Sequence, residues 1–303
     1  MRSWFGATFV GCLVGCASAP PAEAPAAVAT TPRASASGRG GRAELDRARS
    51  LAQKEETEEA IGAAQKAIEL DPNLEDAYLL LASLCDLAER GACVHETLER
   101  GLMALPRSAE LWHVKGMMQL EDTDPSAAVK TLKEAHELAG KKDAEIAADL
   151  AYALIFVESL AEAEEVARLA RSLAPRAFAP AYTHGEALLR LGRGEAAVDA
   201  LEAALGAEGA DARVARRRLG DARLMSGDPQ RALEDYRASI EGDGTADLHV
   251  SIAAALMRLG RPTEAVDEMK KAATIAPSDA RVKALLLEAE KAAKNQKKGK
   301  GKK

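Results

Sequence analysis

The sequence predicts an all-α solenoid of stacked helix-turn-helix units, and three observations carry that prediction. Small residues recur on one ruler: Gly185 is followed twelve residues later by Ala197, seven later by Ala204 and five later by Gly209. The ruler also fits the runs beginning at Ala48, Ala82, Gly116, Ala151, Gly220 and Ala253, so its first members recur after 34, 34, 35, 34, 35 and 33 residues. A period near 34 residues is the mark of stacked helical pairs. The ruler ends on Pro72, Pro106, Gly140, Pro175, Gly209, Gly244 and Pro277, residues that stop a helix because Pro cannot continue it and Gly accepts the left-handed cap. Composition agrees: the chain is 47% hydrophobic but only 3% aromatic, with 29% charged residues, the balance of an Ala/Leu/Glu/Arg-rich helical protein.

Each element follows from that ruler. Two antiparallel helices approach closely where facing residues are small, so the Gly or Ala of a first helix is expected to meet the two small residues of the second. The turn between them reads Leu191-Gly192-Arg193-Gly194, Ser226-Gly227-Asp228-Pro229 and Leu259-Gly260-Arg261-Pro262. Together with Trp112-x-x-x-Gly116 and Tyr78-x-x-x-Ala82, these residues make the chain resemble the tetratricopeptide-repeat family over about residues 41–279, in seven units. The resemblance implies a right-handed superhelical array whose first helices line a concave, ligand-binding face. Ala147, Ala181 and Arg216 stand where the family prefers a bulky residue, and Lys115 stands where it has Leu.

Ahead of the array, residues 1–16 read MRSWFGATFVGCLVGC. The uncharged stretch from Trp4 to Val14 is too short to span a bilayer, which needs about 20 apolar residues; it matches the core of an export signal. Leu13-Val14-Gly15-Cys16 resembles the lipobox of bacterial lipoproteins, which makes Cys16 the acylated first residue of the mature chain. The alternative is an ordinary signal cleaved near Ala17-Ser18-Ala19. Residues 1–15 are thus expected to leave, and 16–41, rich in Pro, Ala, Ser and Gly, to form a disordered tether. Ala17, rather than Asp, after the Cys points by that resemblance to the outer membrane, facing the periplasm. The array is expected over 42–279, opening with a polar helix from Glu44 to Gln53. A capping helix is expected over 280–294, with Val282, Leu285, Leu286 and Ala289 on one stripe. The Lys-rich end, 295–303, is expected to be disordered, either a solubilising tail or a segment drawn to anionic lipid.

Chemistry is where the sequence is silent. It holds no phosphate loop, no Gly-x-Gly-x-x-Gly, no His-Glu-x-x-His and no Gly-x-Ser-x-Gly, so no catalytic residue, metal or cofactor is expected. The net charge of -6 argues against nucleic acid. Cys85 and Cys93 flank the turn at Glu89-Arg90-Gly91 almost opposite each other, and are read either as a disulfide in an exported protein or as two buried thiols. Arg216, Arg217 and Arg218 are read as a solvated face or as a phosphate or carboxylate site.

Binding is what the resemblance implies. The first-helix row includes Met117 in one unit, Tyr152, Ile155 and Phe156 in the next, then Tyr182, Glu186 and Leu189, and Met225. The row lacks the family's carboxylate clamp. In helix 144–158, Ile146, Leu150, Ala151 and Leu154 form the core stripe, while Tyr152, Ile155 and Phe156 lie off it, toward an apolar groove rimmed by Glu and Asp. The expected function is a lipid-anchored scaffold for an envelope protein or peptide, resembling repeat lipoproteins that help assemble secretins, pili or outer-membrane proteins. A periplasmic holdase-type chaperone is the alternative, and an enzyme of cell-wall substrates stands third.

Overall fold

The computed structural model describes residues 36–207, 210–240, 242 and 244–300. The expected export signal, the expected acylated Cys16 and most of the expected tether lie outside the described residues. These residues form fifteen α-helices, with no β-strand among them, and the chain divides after Gly140 into two compact units. The first unit holds α1 (Ala36–Gln53), α2 (Thr57–Leu70), α3 (Glu75–Leu87), α4 (Gly91–Ala104), α5 (Ala109–Glu121) and α6 (Pro125–Leu138). The second holds α7 (Ala144–Phe156), α8 (Leu160–Leu173), α9 (Phe178–Arg190), α10 (Gly194–Leu205), α11 (Ala212–Met225) and α12 (Pro229–Ala238). It continues through α13 (Ala246–Arg258), α14 (Pro262–Ile275) and α15 (Ala280–Lys300). The helices pair as the ruler predicts, seven pairs and a closing helix. Within each unit the first helices of successive pairs also touch one another, whereas second helices touch only first helices. Within each unit the first helices therefore share one face.

Helix starts are locally encoded. Ser108, Asp124, Asp143, Asp211, Asp228 and Thr245 accept hydrogen bonds from the free N–H groups of the first turn, and Pro125, Pro229 and Pro262 sit where a missing N–H costs nothing. The turn within each pair needs one left-handed residue, at 55, 89, 123, 158, 192, 227 and 260. Gly fills it in the last three pairs; Glu55, Glu89, Thr123 and Glu158 hold positive φ in the first four.

At the close approach a residue outside the ruler comes nearest. A Cβ on Gly185 would lie 2.5 Å from Leu201 Cγ, one on Gly116 2.6 Å from Leu132 Cγ, and one on Gly220 2.6 Å from Tyr236 Cε1. The nearest neighbour of the small first-helix residue is a large knob from the second helix, sixteen residues on. The same position holds Ala64, Leu98, Ala167 and Met269 in the other pairs, all buried. Close packing is favourable when a knob fills a gap left by a missing side chain, since voids forfeit dispersion contacts.

Two boundaries move. The first helix begins by Ala36, so residues 36–41 are helical rather than tether. Gly40 and Gly41 weaken a helix locally by about 1 kcal/mol each, but a Cβ on Gly41 would lie 2.8 Å from Asp71 Cβ and 2.9 Å from Leu74 Cδ1; the helix packs so closely on the end of α2 that only glycine fits. At the other end α15 runs past Lys294 to Lys300. Gln296 Nε2 donates to the Gly260 carbonyl at 2.8 Å, and lysines suit a helix C-terminus, whose dipole is negative.

Candidate functional site

The first-helix face of the second unit is built from α7, α9 and α11, which are mutual neighbours in order. Ile146, Leu150, Ala151 and Leu154 of α7 are buried, as its stripe predicts. Tyr152 and Phe156, one turn apart on the same helix, meet edge to face with ring centroids 5.0 Å apart. On α9, Phe178 and Tyr182 stack at 5.3 Å. Phe156 is 57% exposed, while Tyr152 and Tyr182 are half-buried. Such ring pairs add about 0.5–1.5 kcal/mol beyond area burial, which favours this arrangement of the ledge.

Behind the rings runs a polar network. Arg218 Nε lies 2.8 Å from Glu186 Oε2 in an ion pair without hydrogen-bond alignment. Arg218 Nη1 donates to Asp221 Oδ2 at 3.3 Å, and the Tyr236 hydroxyl donates to Asp221 Oδ1 at 2.8 Å. Burial raises the Glu186 carboxyl above the ordinary range, against the pull of Arg218. Burial also raises Tyr182, although a hydrogen bond with Arg218 opposes it, and raises Tyr152, with the charges of Tyr182 and Glu186 adding to the effect. Burial would lower Arg218, but Glu186, Tyr182 and Asp221 outweigh it and hold the guanidinium charged. A buried charge is tolerable only when paired. Arg218 is paired on several sides, so it braces the ledge rather than offering a free anion clamp.

The expected groove residues divide on this geometry. Ile155, at 4% exposure, and Leu189, at 9%, are core residues rather than open wall. Leu189 belongs to a cluster with Ala197 and Leu201 of its own pair and Leu219 and Ala222 of the next first helix. Glu186, also 9% exposed, is the counter-ion of Arg218 rather than a rim acid. Met225 is 46% exposed and packs by its stem against Gly194, where a Cβ would lie 2.9 Å from Met225 Cγ. Met117 is half-buried in the first unit and is described with that unit. Phe178 and Tyr236 were missed; Tyr236 is the knob opposite Gly220, so a sixteen-residue offset would have found it.

Two arginines of the run have carboxylate partners within the unit. Arg216 sits 3.6 Å from Asp235, a buried carboxylate that Arg223 Nη1 also meets at 2.5 Å. All three arginines of the run stay partly exposed. Ala147 and Ala181 are fully buried despite their size, and Lys115 Nζ lies 5.6 Å from the Trp112 ring centroid.

In the first unit Cys85 and Cys93 are joined as a disulfide across the turn between α3 and α4, with Cα atoms 5.8 Å apart. Beside it is a cleft of about 90 Å³ between Asp86, Val94, His95, Met118 and Glu121. Burial, with Asp86 and Asp122 adding to it, raises the Glu121 carboxyl. Among the described residues no three His, Cys, Asp or Glu groups are arranged to hold a metal, and no helix is long and apolar enough to cross a membrane.

Comparison with known proteins agrees with this architecture. Residues 182–247 and 218–280 match the family model described as tetratricopeptide repeat. Among curated proteins, none matches the chain. Of solved structures, PilF of Pseudomonas aeruginosa is similar at 18% identity and a TM-score of 0.59, over 67% of this chain and 92% of that one. A tetratricopeptide repeat protein from Parabacteroides merdae is similar at 14% identity and a TM-score of 0.56, over 83% of this chain and 99% of that one. These likenesses speak to fold alone. The fold is that of a tetratricopeptide-repeat solenoid, and residues 182–280 carry that family's sequence signature.

Proposed function

We propose that this protein is a membrane-anchored scaffold that holds an envelope protein or peptide on the first-helix face of its second unit. The observation that carries the reading is Phe156, 57% exposed at the end of α7 yet locked against Tyr152. A soluble helix rarely leaves a large ring open beside other aromatics without a covering partner, and rigid aromatic anchors lose little entropy on binding. An apolar helix or extended peptide fits such a face. The anchor rests on Leu13-Val14-Gly15-Cys16, with a Pro/Ala tether to let the array stand off the bilayer.

The test replaces both rings. Tyr152→Ala with Phe156→Ala is expected to abolish site-specific photo-crosslinking from position 182 to its partner, a loss of about 2 kcal/mol or more per anchor, while helical content and melting change little. Normal crosslinking by the double variant would move the functional surface elsewhere. Saturable capture of one protein supports a scaffold; weak capture of many reduced, unfolded chains supports a holdase.

A further inference from the structure

The closing helix α15 is seated by one face. Val282 and Ala289 are buried in the core of the last repeats, and Leu285 and Leu286 pack partly against it. Gln296 is bonded to the Gly260 carbonyl, and Arg281 pairs with Asp247. These contacts set the rotation of the helix. At about 100° per residue, Lys283, Leu287, Lys291, Lys294 and Lys298 then fall within an arc of about 80° opposite the seated face, along about 22 Å. All five are exposed. Among the described residues none of these four lysines forms an ion pair, and Glu288 and Glu290 lie to either side of the strip rather than in it.

Charge is also segregated along the chain. Residues 280–303 contain nine Lys/Arg and two Glu, so this end carries +7, and with the whole chain at -6 the remainder carries -13. We propose that the lysine face of α15 docks on the anionic headgroups of a lipid surface, with Leu287 entering the interface between the lysines. A flat anionic surface can be met by one helix face at the end of an array. A long polyanion such as nucleic acid would have to run along an acidic body that repels it. An exposed leucine set among lysines matches the boundary of headgroups and acyl chains, where apolar area and cationic charge add. The inference does not depend on acylation of Cys16, because the strip is described in full without it.

The test uses the full chain carrying Cys16→Ser, so that no acyl chain contributes. It is floated with vesicles of phosphatidylcholine alone and of phosphatidylcholine mixed with phosphatidylglycerol. Binding is expected only to the mixed vesicles, and is expected to weaken as salt shortens the screening length. Each lysine near such a surface is worth about fivefold in affinity. Combining Lys283→Gln, Lys291→Gln, Lys294→Gln and Lys298→Gln is therefore expected to lower binding by about a hundredfold or more, with the circular dichroism spectrum unchanged. Leu287→Gln alone is expected to lower it by a smaller, salt-independent factor. Equal binding to neutral vesicles, or undiminished binding by the quadruple variant, overturns the proposal. So does binding to duplex DNA where vesicles fail, or lysine-dependent self-association without vesicle binding.

Discussion

At the scale of single residues, the turn inside each repeat is set by backbone conformation. The left-handed position in the turn between paired helices costs an L-residue about 1–2 kcal/mol, and Gly relieves it. Thr123, β-branched with φ 62°, is the most strained of the four non-glycine residues there. Thr123→Gly is expected to raise stability by about 1 kcal/mol in denaturant unfolding; a lower midpoint would show that some contact of Thr123 outweighs its strain. His184 makes the opposite case, a residue that burial makes costly. Its ring is buried with both nitrogens lacking hydrogen bonds, and Glu164 stands 3.7 Å away. Burial first, and Arg171 second, lower its pKa. The unfolded chain therefore takes a proton that the folded chain refuses, and stability falls as pH drops through the ordinary histidine range. His184→Gln is expected to lose less stability between about pH 7 and 5 than the parent does, read as the difference in melting midpoint at the two values.

At the scale of helices, pairing rests on a gap and a knob. Gly185 makes the gap and Leu201, fully buried, fills it. Gly185→Ala is expected to cost about 1–3 kcal/mol through overpacking, and Leu201→Ala about 2–5 kcal/mol through a cavity. The two are coupled. In the Leu201→Ala background the new methyl has room, and Ala favours a helix over Gly by about 1 kcal/mol, so Gly185→Ala is expected to stabilise. The sign change across a double-mutant cycle is the measurement. The pair Ala151 and Ala167 in the preceding repeat is already the product of both substitutions. Ion pairs lace neighbouring repeats as well: Arg90 meets Glu58 at 2.6 Å and Arg171 meets Asp199 at 3.0 Å. These exposed pairs add at most about 1 kcal/mol each, so packing decides the stacking.

At the scale of the whole molecule, a solenoid buries its core only between neighbours, which is why the repeat was legible before any helix was placed. Its proposed attachment to a membrane is a separate matter that rests on the lipobox-like residues 13–16. Cys16→Ser is expected to release the protein from the membrane fraction or to block its processing. A variant that is still processed and sedimented with membranes would show that Cys16 carries no lipid. The sequence by itself determined the number of helical pairs, the turn between them, the Pro and Gly stops, and the core stripe of α7. Each of these depends on spacing along one or two helices, and spacing is written in the chain. Only the tertiary structure decided which side chains of the first-helix face stay open. Ile155 and Leu189 looked like groove wall, but packing in the folded array leaves them 4% and 9% exposed. Glu186 looked like a rim acid until Arg218, 32 residues away, was brought to 2.8 Å from it. The same holds for Gly40 and Gly41, whose local cost is set against contacts with α2 that no local pattern records. Exposure and pairing depend on what a neighbouring repeat presents, and that follows from the angle at which repeats stack, which periodicity does not encode.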